Sequence, residues 1–157
     1  MKLLDFEFNE KNVIRCLIAI GIIIVLILFF SVLEAIIPKR FKKDVEVVSS
    51  ENYVVEVDYI DNSGIKLVVS GQAYNGPEAI QRYHQYYVLK NNENNKSYIL
   101  KTKMEQREHL KNTGAEFSGM HSQALTMFMP KGTYDLYVYY DTNSENILLK
   151  TDKQVEI

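Results

Sequence analysis

Residues that could carry out chemistry are few in this chain and lie far apart in sequence. The three histidines, His84, His109 and His121, form neither an H-x-H nor an H-E-x-x-H pattern, so they predict no metal site. A single cysteine, Cys16, excludes an intramolecular disulfide and a multi-cysteine zinc site. The chain contains no G-x-S-x-G, P-loop or G-x-G-x-x-G motif. We therefore predict a protein without catalytic residues, a bound metal or a cofactor.

Two acidic turns place oxygen ligands at a spacing that could suit calcium. They are residues 58–64 (DYIDNSG) and 141–146 (DTNSEN). Neither is flanked by helices, and the second lacks the glycine and the distant glutamate of an EF-hand loop. Because hairpin turns favour the same residue types, we interpret both as turns. A hydrolase or transferase with an acid–base pair split across loops stays an alternative, and it would draw on residues such as Asp58, Asp61 and Glu116.

The tyrosines are the strongest candidates for a ligand-binding surface. Strand alternation within residues 133–140 (TYDLYVYY) puts Tyr137 and Tyr139 on one face and Tyr134, Leu136, Val138 and Tyr140 on the other. We expect the second face to form core and the first to meet solvent, a partner or a sugar, on which aromatic rings can stack. Tyr83 and Tyr87, on another predicted strand, complete the candidate surface. The alternative is that all four are ordinary tyrosines of a half-buried sheet.

Length and charge limit the class of protein. The 157 residues suffice for one domain, and 18 Lys+Arg against 20 Asp+Glu give a net charge of −2. The charge is divided unevenly, because residues 1–43 carry 7 basic and 4 acidic residues (net +3) and residues 44–157 carry 11 and 16 (net −5). An acidic soluble part argues against a nucleic-acid-binding protein, which would use basic side chains to neutralise phosphates.

One segment has the composition of a transmembrane helix. Residues 16–33 (CLIAIGIIIVLILFFSVL) are 18 consecutive uncharged residues, and residues 13–37 carry only Arg15 and Glu34 as charges, one near each end. At a rise of about 1.5 Å per residue, the uncharged stretch is roughly 27 Å long, close to the ~30 Å hydrocarbon core of a bilayer. A cleaved signal peptide would have a shorter apolar region and a small-x-small cleavage site. We therefore predict an uncleaved single-pass helix.

Basic residues flank this helix on both sides. Three precede the uncharged stretch: Lys2, Lys11 and Arg15. Four follow it: Lys39, Arg40, Lys42 and Lys43. Because more basic residues follow the uncharged stretch than precede it, the positive-inside rule slightly favours a cytoplasmic C-terminus. Long domains, however, cross the membrane largely regardless of the charges that flank the helix. Because a short N-terminal tail before a large domain is the usual signal-anchor layout, we predict a cell-membrane protein with an extracytoplasmic C-terminal domain. The four following residues would then contact anionic lipid headgroups or polymers, or form a solvated collar.

The remaining residues have the alternation and turn spacing of an all-β domain. Three hairpins are predicted, from residues 53–60 with 65–70, 83–90 with 97–103, and 133–140 with 147–150. Seven to nine short strands with few helix candidates predict an antiparallel, immunoglobulin-like β-sandwich tethered by one N-terminal transmembrane α-helix. The predicted boundaries are 1–12 for an N-terminal tail, 13–37 for the helix, 38–52 for a basic juxtamembrane linker and 53–157 for the sandwich.

Several short patterns between about residues 65 and 141 are similar to those of a known class of domain. They are VSGQA at 69–73, YVL at 87–89, YIL at 98–100, Arg107, EFSGM at 116–120, Leu125 with Phe128, and KGTYDLYV at 131–138. Together they resemble the small β-sandwich domains of membrane-anchored and glycosyltransferase-linked proteins in Gram-positive cell-surface polysaccharide and teichoic acid assembly. The resemblance implies an accessory, non-enzymatic binding or scaffolding module at the bacterial cell envelope.

The expected partners are the lipid bilayer and either a membrane protein or a cell-surface glycan, with no nucleic acid. The alternative is a membrane-complex subunit that acts through its transmembrane helix. In that case small residues of the helix, such as Gly21 and Ser31, would lie at a helix–helix contact, although they are too far apart for a small-xxx-small pair.

Overall fold

The computed structural model describes residues 10–75, 84–111, 114–141 and 146–157. The chain forms two compact units, Met1–Ala35 and Ile36–Ile157. Helix α1 (Glu10–Ile36) provides the first unit. Ten strands are described in the second: β1 (Lys39–Phe41), β2 (Glu46–Val48), β3 (Val54–Asn62), β4 (Lys66–Tyr74), β5 (His84–Asn91), β6 (Ser97–Leu100), β7 (Thr102–Glu105), β8 (Gly119–Leu125), β9 (Thr133–Asp141) and β10 (Asn146–Glu156).

Helix α1 is apolar over most of its length, and none of its residues is buried. It is long and apolar enough to cross a membrane. The hydroxyl of Ser31 donates to the Ile27 carbonyl oxygen at 2.8 Å, so this polar side chain is satisfied within the helix. The helix ends two residues before Pro38, because a proline disfavours the helical conformation of the residue that precedes it. The predicted helix is confirmed, with its start three residues earlier than expected.

The second unit consists of two β-sheets that share one hydrophobic core. Six strands form one sheet in the order β1-β6-β5-β9-β10-β2, and four form the other in the order β3-β4-β8-β7. Leu67 and Met120 of the four-stranded sheet pack in the same core as Leu89, Leu136 and Tyr140 of the six-stranded sheet. The face of β9 that was predicted to form core is therefore confirmed. The prediction of a mostly β domain after one apolar helix is confirmed as well.

The three predicted hairpins are present, since β3 pairs with β4, β5 with β6, and β9 with β10, each antiparallel. The predicted strand 97–103 is divided at Lys101 into β6 and β7, which belong to different sheets. Strand β10 is longer than predicted and continues past a bulge between Lys150 and Gln154. Strand β8 was not predicted, because its sequence GMHSQAL contains no β-branched or large aromatic residue.

The predicted linker 38–52 contributes two strands to the six-stranded sheet. β1 pairs with β6 at one edge, and β2 pairs in parallel with β10 at the other. Residues 42–45, called the strap below, connect these two edges. In a flat sheet, inter-strand steps of ~4.8 Å would put the edges about 24 Å apart, whereas the chain from Phe41 to Glu46 spans at most about 18 Å. The sheet must therefore curl toward the strap.

Arg107 ties two strands of the four-stranded sheet together. Its Nη2 atom donates to the Gly71 carbonyl oxygen at 2.6 Å and to the Asp58 carboxylate at 2.7 Å. Asp58 lies where the pairing of β3 with β4 shifts register, and a bulge of this kind re-aims a side chain. The bulge in β3 therefore supplies the carboxylate that pairs with the guanidinium.

Two glycines make room for this arrangement. A Cβ atom at Gly119 would lie 2.7 Å from Arg107 Nε. A Cβ atom at Gly71 would overlap the Glu56 carbonyl oxygen and would lie 2.8 Å from the Tyr87 hydroxyl oxygen. Neither position can accept a side chain without moving backbone or a buried ring, so both glycines are required by close packing.

The start of β9 is fixed by a tyrosine. Tyr134 is fully buried, and its hydroxyl donates to the Pro130 carbonyl oxygen at 2.5 Å, four residues earlier in the chain. Gly132 and Ile157 exchange two backbone hydrogen bonds of 2.8 and 3.0 Å beside it. The connection from β8 to β9 is thereby attached both to the core and to the end of β10.

We predict that Gly71→Ala lowers the free energy of unfolding by about 2–3 kcal/mol, because the added methyl group overpacks a closed site. The measurement is chemical denaturation of the full chain in detergent, followed by tyrosine fluorescence, since the chain has no tryptophan. Gly64→Ala is the control: Gly64 has open space around it and a φ of +81°, so only a backbone cost of about 1 kcal/mol is expected. Equal losses for the two variants would contradict the packing argument.

Candidate functional site

The outer face of the six-stranded sheet, turned away from the shared core, carries a second hydrophobic cluster. Its buried members are Val88, Tyr137, Tyr139 and Leu148. Strands β5, β9 and β10 bring them together, and Val88 lies directly opposite Tyr137 in the pairing of β5 with β9. Phe41, at the end of β1, and Val45, at the end of the strap, pack against this cluster. The strap therefore covers an apolar face that would otherwise meet water.

Tyr139 makes the polar contacts that attach the strap. Lys43 Nζ donates to the Tyr139 hydroxyl oxygen at 2.6 Å and lies 4.6 Å from the centroid of its ring. The hydroxyl of Tyr139 donates in turn to the Asp141 carboxylate at 3.2 Å, and the Phe41 ring packs edge-on with centroids 5.3 Å apart. The hydrogen bond with Tyr139 raises the pKa of Lys43, and the negative charge of Asp141 acts in the same direction.

The expectation that two tyrosines of β9 face solvent is wrong, because Tyr137 and Tyr139 are only 6% and 1% exposed beneath the strap. Tyr87 lies on the opposite face of β5, in the shared core, where burial raises the pKa of its hydroxyl. Tyr83 lies outside the described residues. The three described candidates therefore form no single exposed surface, and ligand binding by them stays a prediction.

A cleft of about 650 Å³ opens beside the strap, a size within the usual range for ligand sites. Its floor is apolar and includes Val88, Tyr137 and Leu148. Five basic side chains line it: Arg40, Lys42 and Lys43 from β1 and the strap, Lys90 from β5, and Lys96 from the β5–β6 turn. Three of the four predicted membrane-surface residues thus lie in the cleft, and Lys39 is exposed on β1 outside its lining.

The charge of the cleft contrasts with the charge of the domain. Asp44 is the one acidic residue among the described lining residues, so five positive charges and one negative charge give a net +4. Residues 44–157 as a whole carry net −5. In the part of the chain that the structure describes, no carboxylate forms an ion pair with Arg40, Lys42, Lys90 or Lys96. The cleft can therefore attract an anion.

The acidic residues weighed for catalysis or calcium lie apart. Asp58 is paired with Arg107, Asp61 is exposed at the end of β3, and Glu116 precedes β8. The Asn62 side chain accepts a hydrogen bond from the Gly64 amide at 3.0 Å, as in an ordinary turn. Within the described ranges, no group of three or more His, Cys, Asp or Glu side chains could hold a metal ion. Most of the second acidic turn lies outside the described residues.

One nucleophile–base pair was not anticipated from the sequence. Ser70 Oγ and His121 Nδ1 lie 2.7 Å apart, across the register of β4 and β8. The other imidazole nitrogen faces the Gln123 amide at 3.2 Å, so among the described residues its partner is an amide and not the carboxylate of a Ser–His–Asp triad. The pair is a cross-strand contact of the kind that stabilises antiparallel sheets.

Sequence reasoning missed Lys90 and Lys96 as site residues and treated the strap as linker. A signal was present, since Phe41 and Val45 are apolar residues within an otherwise charged stretch, which is typical of a segment that packs on a surface. The approach of Lys90 and Lys96 to the strap depends on the pairing of β1 with β6, which joins residues as far apart in sequence as Lys39 and Ile99 and which no local pattern reports.

We predict that Tyr139→Phe loosens the strap while leaving the rings packed. Removing the hydroxyl eliminates its hydrogen bonds with Lys43 and Asp141 and should cost about 1–2 kcal/mol of stability. Hydrogen exchange of residues 42–45 should accelerate most. Tyr59→Phe is the control, because Tyr59 is 53% exposed on β3. Unchanged exchange in the strap of the Tyr139 variant would contradict this role.

Asp135 on β9 should make stability sensitive to acid. A hydrogen bond from Gln154 lowers the pKa of Asp135 below its ordinary value of 3.8, with smaller contributions from Asn92 and Lys150. A lowered pKa stabilises the fold above pH 3.8, and this contribution is lost as pH falls through the native pKa.

Asp135→Asn should therefore be less stable than wild type by up to about 1 kcal/mol at neutral pH, with the difference vanishing in strong acid. The measurement is the free energy of unfolding against pH. Gln154→Ala should reduce the acid sensitivity of wild type and leave that of Asp135→Asn unchanged. Parallel pH curves for wild type and Asp135→Asn would contradict the assignment.

In comparisons with known proteins, no family model, no curated protein and no solved structure matches this chain. The resemblance to envelope sandwich domains therefore stays a prediction. The cleft itself is lined by residues of the six-stranded sheet, the strap and the β5–β6 turn.

Proposed function

We propose that this protein is a single-pass, membrane-anchored, non-enzymatic binding or scaffolding module of the bacterial cell envelope, accessory to surface polysaccharide assembly. Its C-terminal domain would be extracytoplasmic. The observation that carries the proposal is the basic cleft on an otherwise acidic domain, in which Arg40, Lys42, Lys90 and Lys96 have no carboxylate partner in the described chain. Cations gathered in a concave surface concentrate anionic partners.

The anchor is supported by the physical character of α1. A helix with no buried residue and no polar face would be poorly solvated in water, whereas in lipid its backbone polar groups are satisfied internally. Its 27 residues correspond to roughly 40 Å, which accommodates the hydrocarbon core and part of both interfaces. Arg15 and Glu34 lie near its two ends, where charged side chains reach the interface.

An immunoglobulin-like sandwich is supported by strand order and by one side-chain contact. The sheets β3-β4-β8-β7 and β6-β5-β9-β10 follow the ABED and C′CFG arrangement when β3 to β10 are taken as strands A to G with C′ included. The hydrogen bond from Tyr134 at the start of β9 to the Pro130 carbonyl oxygen corresponds to the tyrosine corner of such domains. The inter-sheet disulfide is missing, since the only cysteine is Cys16 in the helix.

The resemblance to envelope domains is supported by the way its residues meet. Gly71, Arg107 and Gly119 belong to the patterns that carry the resemblance, and they lie together: Arg107 donates to the Gly71 carbonyl oxygen, and a Cβ atom at Gly119 would meet Arg107 Nε. Each is explained by packing rather than by chemistry, which agrees with an accessory role. Asp44 in the cleft has no second carboxylate beside it among the described lining residues, so these residues provide no carboxylate pair.

The orientation can be tested by cysteine accessibility. Cys16→Ser leaves a chain without cysteine, and Lys103→Cys then adds one at an exposed position of β7. We expect a membrane-impermeant maleimide to label this cysteine in intact cells at the level found after permeabilisation. Cys16→Ser alone is the control and should not be labelled. Labelling that requires permeabilisation would place the domain in the cytoplasm and overturn the envelope function.

A further inference from the structure

The cleft on the outer face has more positive charge than its own residues neutralise. Lys43 is already held by the Tyr139 hydroxyl, so it contributes little to a ligand. The other basic side chains of the cleft form no ion pair in the described chain and are available: Arg40, Lys42, Lys90 and Lys96. Against these four cations the described lining contains one carboxylate, that of Asp44. A ligand of this cleft must therefore carry negative charge.

The same cleft has an apolar lining that disfavours a ligand that is hydrophilic throughout. Phe41 packs edge-on against Tyr139 but is only half-buried, and it lines the cleft. Val47 lines the cleft as well and is 52% exposed. A free phosphate ion or a hydrated polymer is not stabilised by such surface, whereas a ligand with an apolar part is stabilised by covering it. The lining therefore favours an amphipathic anion.

Sheet register gives the spacing between the charged and the apolar parts of the cleft. Ser97 of β6 pairs with Phe41 of β1 on one side and with Lys90 of β5 on the other, so the three residues form one row across the sheet. At ~4.8 Å per strand, the Cα atoms of Phe41 and Lys90 are about 10 Å apart, and their side chains lie on the same face. In a phospholipid only the glycerol backbone separates the phosphate from the acyl chains, so one molecule can contact both.

Chain connectivity keeps the cleft near a source of such molecules. Arg40 follows Ile36, the last residue of α1, by four residues. At most ~3.5 Å per residue, its Cα atom lies within about 14 Å of the end of the helix. With α1 in a bilayer, Arg40 and Lys42 are therefore within reach of the headgroup layer, which adds roughly 10–15 Å to the ~30 Å hydrocarbon core.

Two of the cations indicate a defined site rather than a general attraction of basic residues to a membrane. Lys90 and Lys96 are far from α1 in sequence, and they reach the cleft from β5 and from the turn after it. Arg40 lines the same space from β1, and its guanidinium can bind two phosphate oxygens at once. Cations from two sides of the cleft thus converge on a space that suits a phosphate group.

We propose that this cleft binds the headgroup of an anionic phospholipid from the membrane in which α1 is anchored. The four available cations surround the phosphate, and Phe41 and Val47 lie beside the glycerol backbone and the first acyl methylene groups. The bound lipid docks the outer face of the six-stranded sheet on the membrane surface. This inference rests on the proposed function of a membrane-anchored binding module and names a partner for the same cleft.

The test titrates the full chain, held in a neutral detergent, with phosphatidylglycerol or with zwitterionic phosphatidylcholine, and native mass spectrometry measures the affinity for the first bound lipid. We expect phosphatidylglycerol to bind about tenfold more tightly than phosphatidylcholine. Lys42→Gln with Lys96→Gln should weaken phosphatidylglycerol binding about tenfold, because two exposed charge contacts with the phosphate are lost.

The matched control is Lys66→Gln with Lys103→Gln, which removes the same charge from exposed positions of the four-stranded sheet. It should leave the affinity for phosphatidylglycerol within about twofold. Both double variants keep the basic residues at the ends of α1, so any lipid attracted there is common to all the proteins compared.

Equal weakening by the two double variants would overturn the cleft as the site, and equal affinity of the wild-type chain for the two lipids would overturn its selectivity for an anionic headgroup. Competition by the soluble, deacylated headgroup that is as effective as competition by the intact lipid would assign the cleft to a free phosphodiester instead. These measurements need no bilayer and do not depend on orientation, so their failure is distinguishable from failure of the envelope function in the cysteine-labelling experiment.

Discussion

The crossing of residues 42–45 over the six-stranded sheet is the constraint on which the outer face depends. The chain pairs with β6 at one edge and with β10 at the other, and it is too short to do so across a flat sheet. The sheet therefore curls, and the apolar cluster around Tyr139 becomes covered. The cleft follows from the same crossing, since its lining includes residues from both ends of the strap.

Electrostatics and packing act together at this crossing. Lys43 is engaged by the hydroxyl and ring of Tyr139, so one of the four basic residues that follow α1 stabilises the fold. Arg40 and Lys42 form no ion pair in the described chain and remain available to a ligand. A single short segment thus supplies both an attachment to the sheet and part of the lining of the basic cleft.

Much of the fold could be predicted because its signals are local. The helix follows from an uninterrupted apolar stretch, and the hairpins follow from alternation broken by polar turns. Strand β8 was not predicted, because its small and polar residues form a strand only when they pair with β4 on one side and β7 on the other. The division of residues 97–103 between two sheets could not be predicted from the sequence either, since Lys101 is not a residue type that indicates a turn.

The sequence by itself determined that an apolar helix precedes a mostly β domain, and it determined which face of β9 lies in the core. Tertiary structure alone decided that the other face of β9 is covered, because that depends on where residues 42–45 lie after β1 and β2 have paired with distant strands. It also decided that Lys90 and Lys96 line the same cleft as Arg40, Lys42 and Lys43. Alternation reports the side of a strand on which a residue lies, but only the folded chain determines what covers that side.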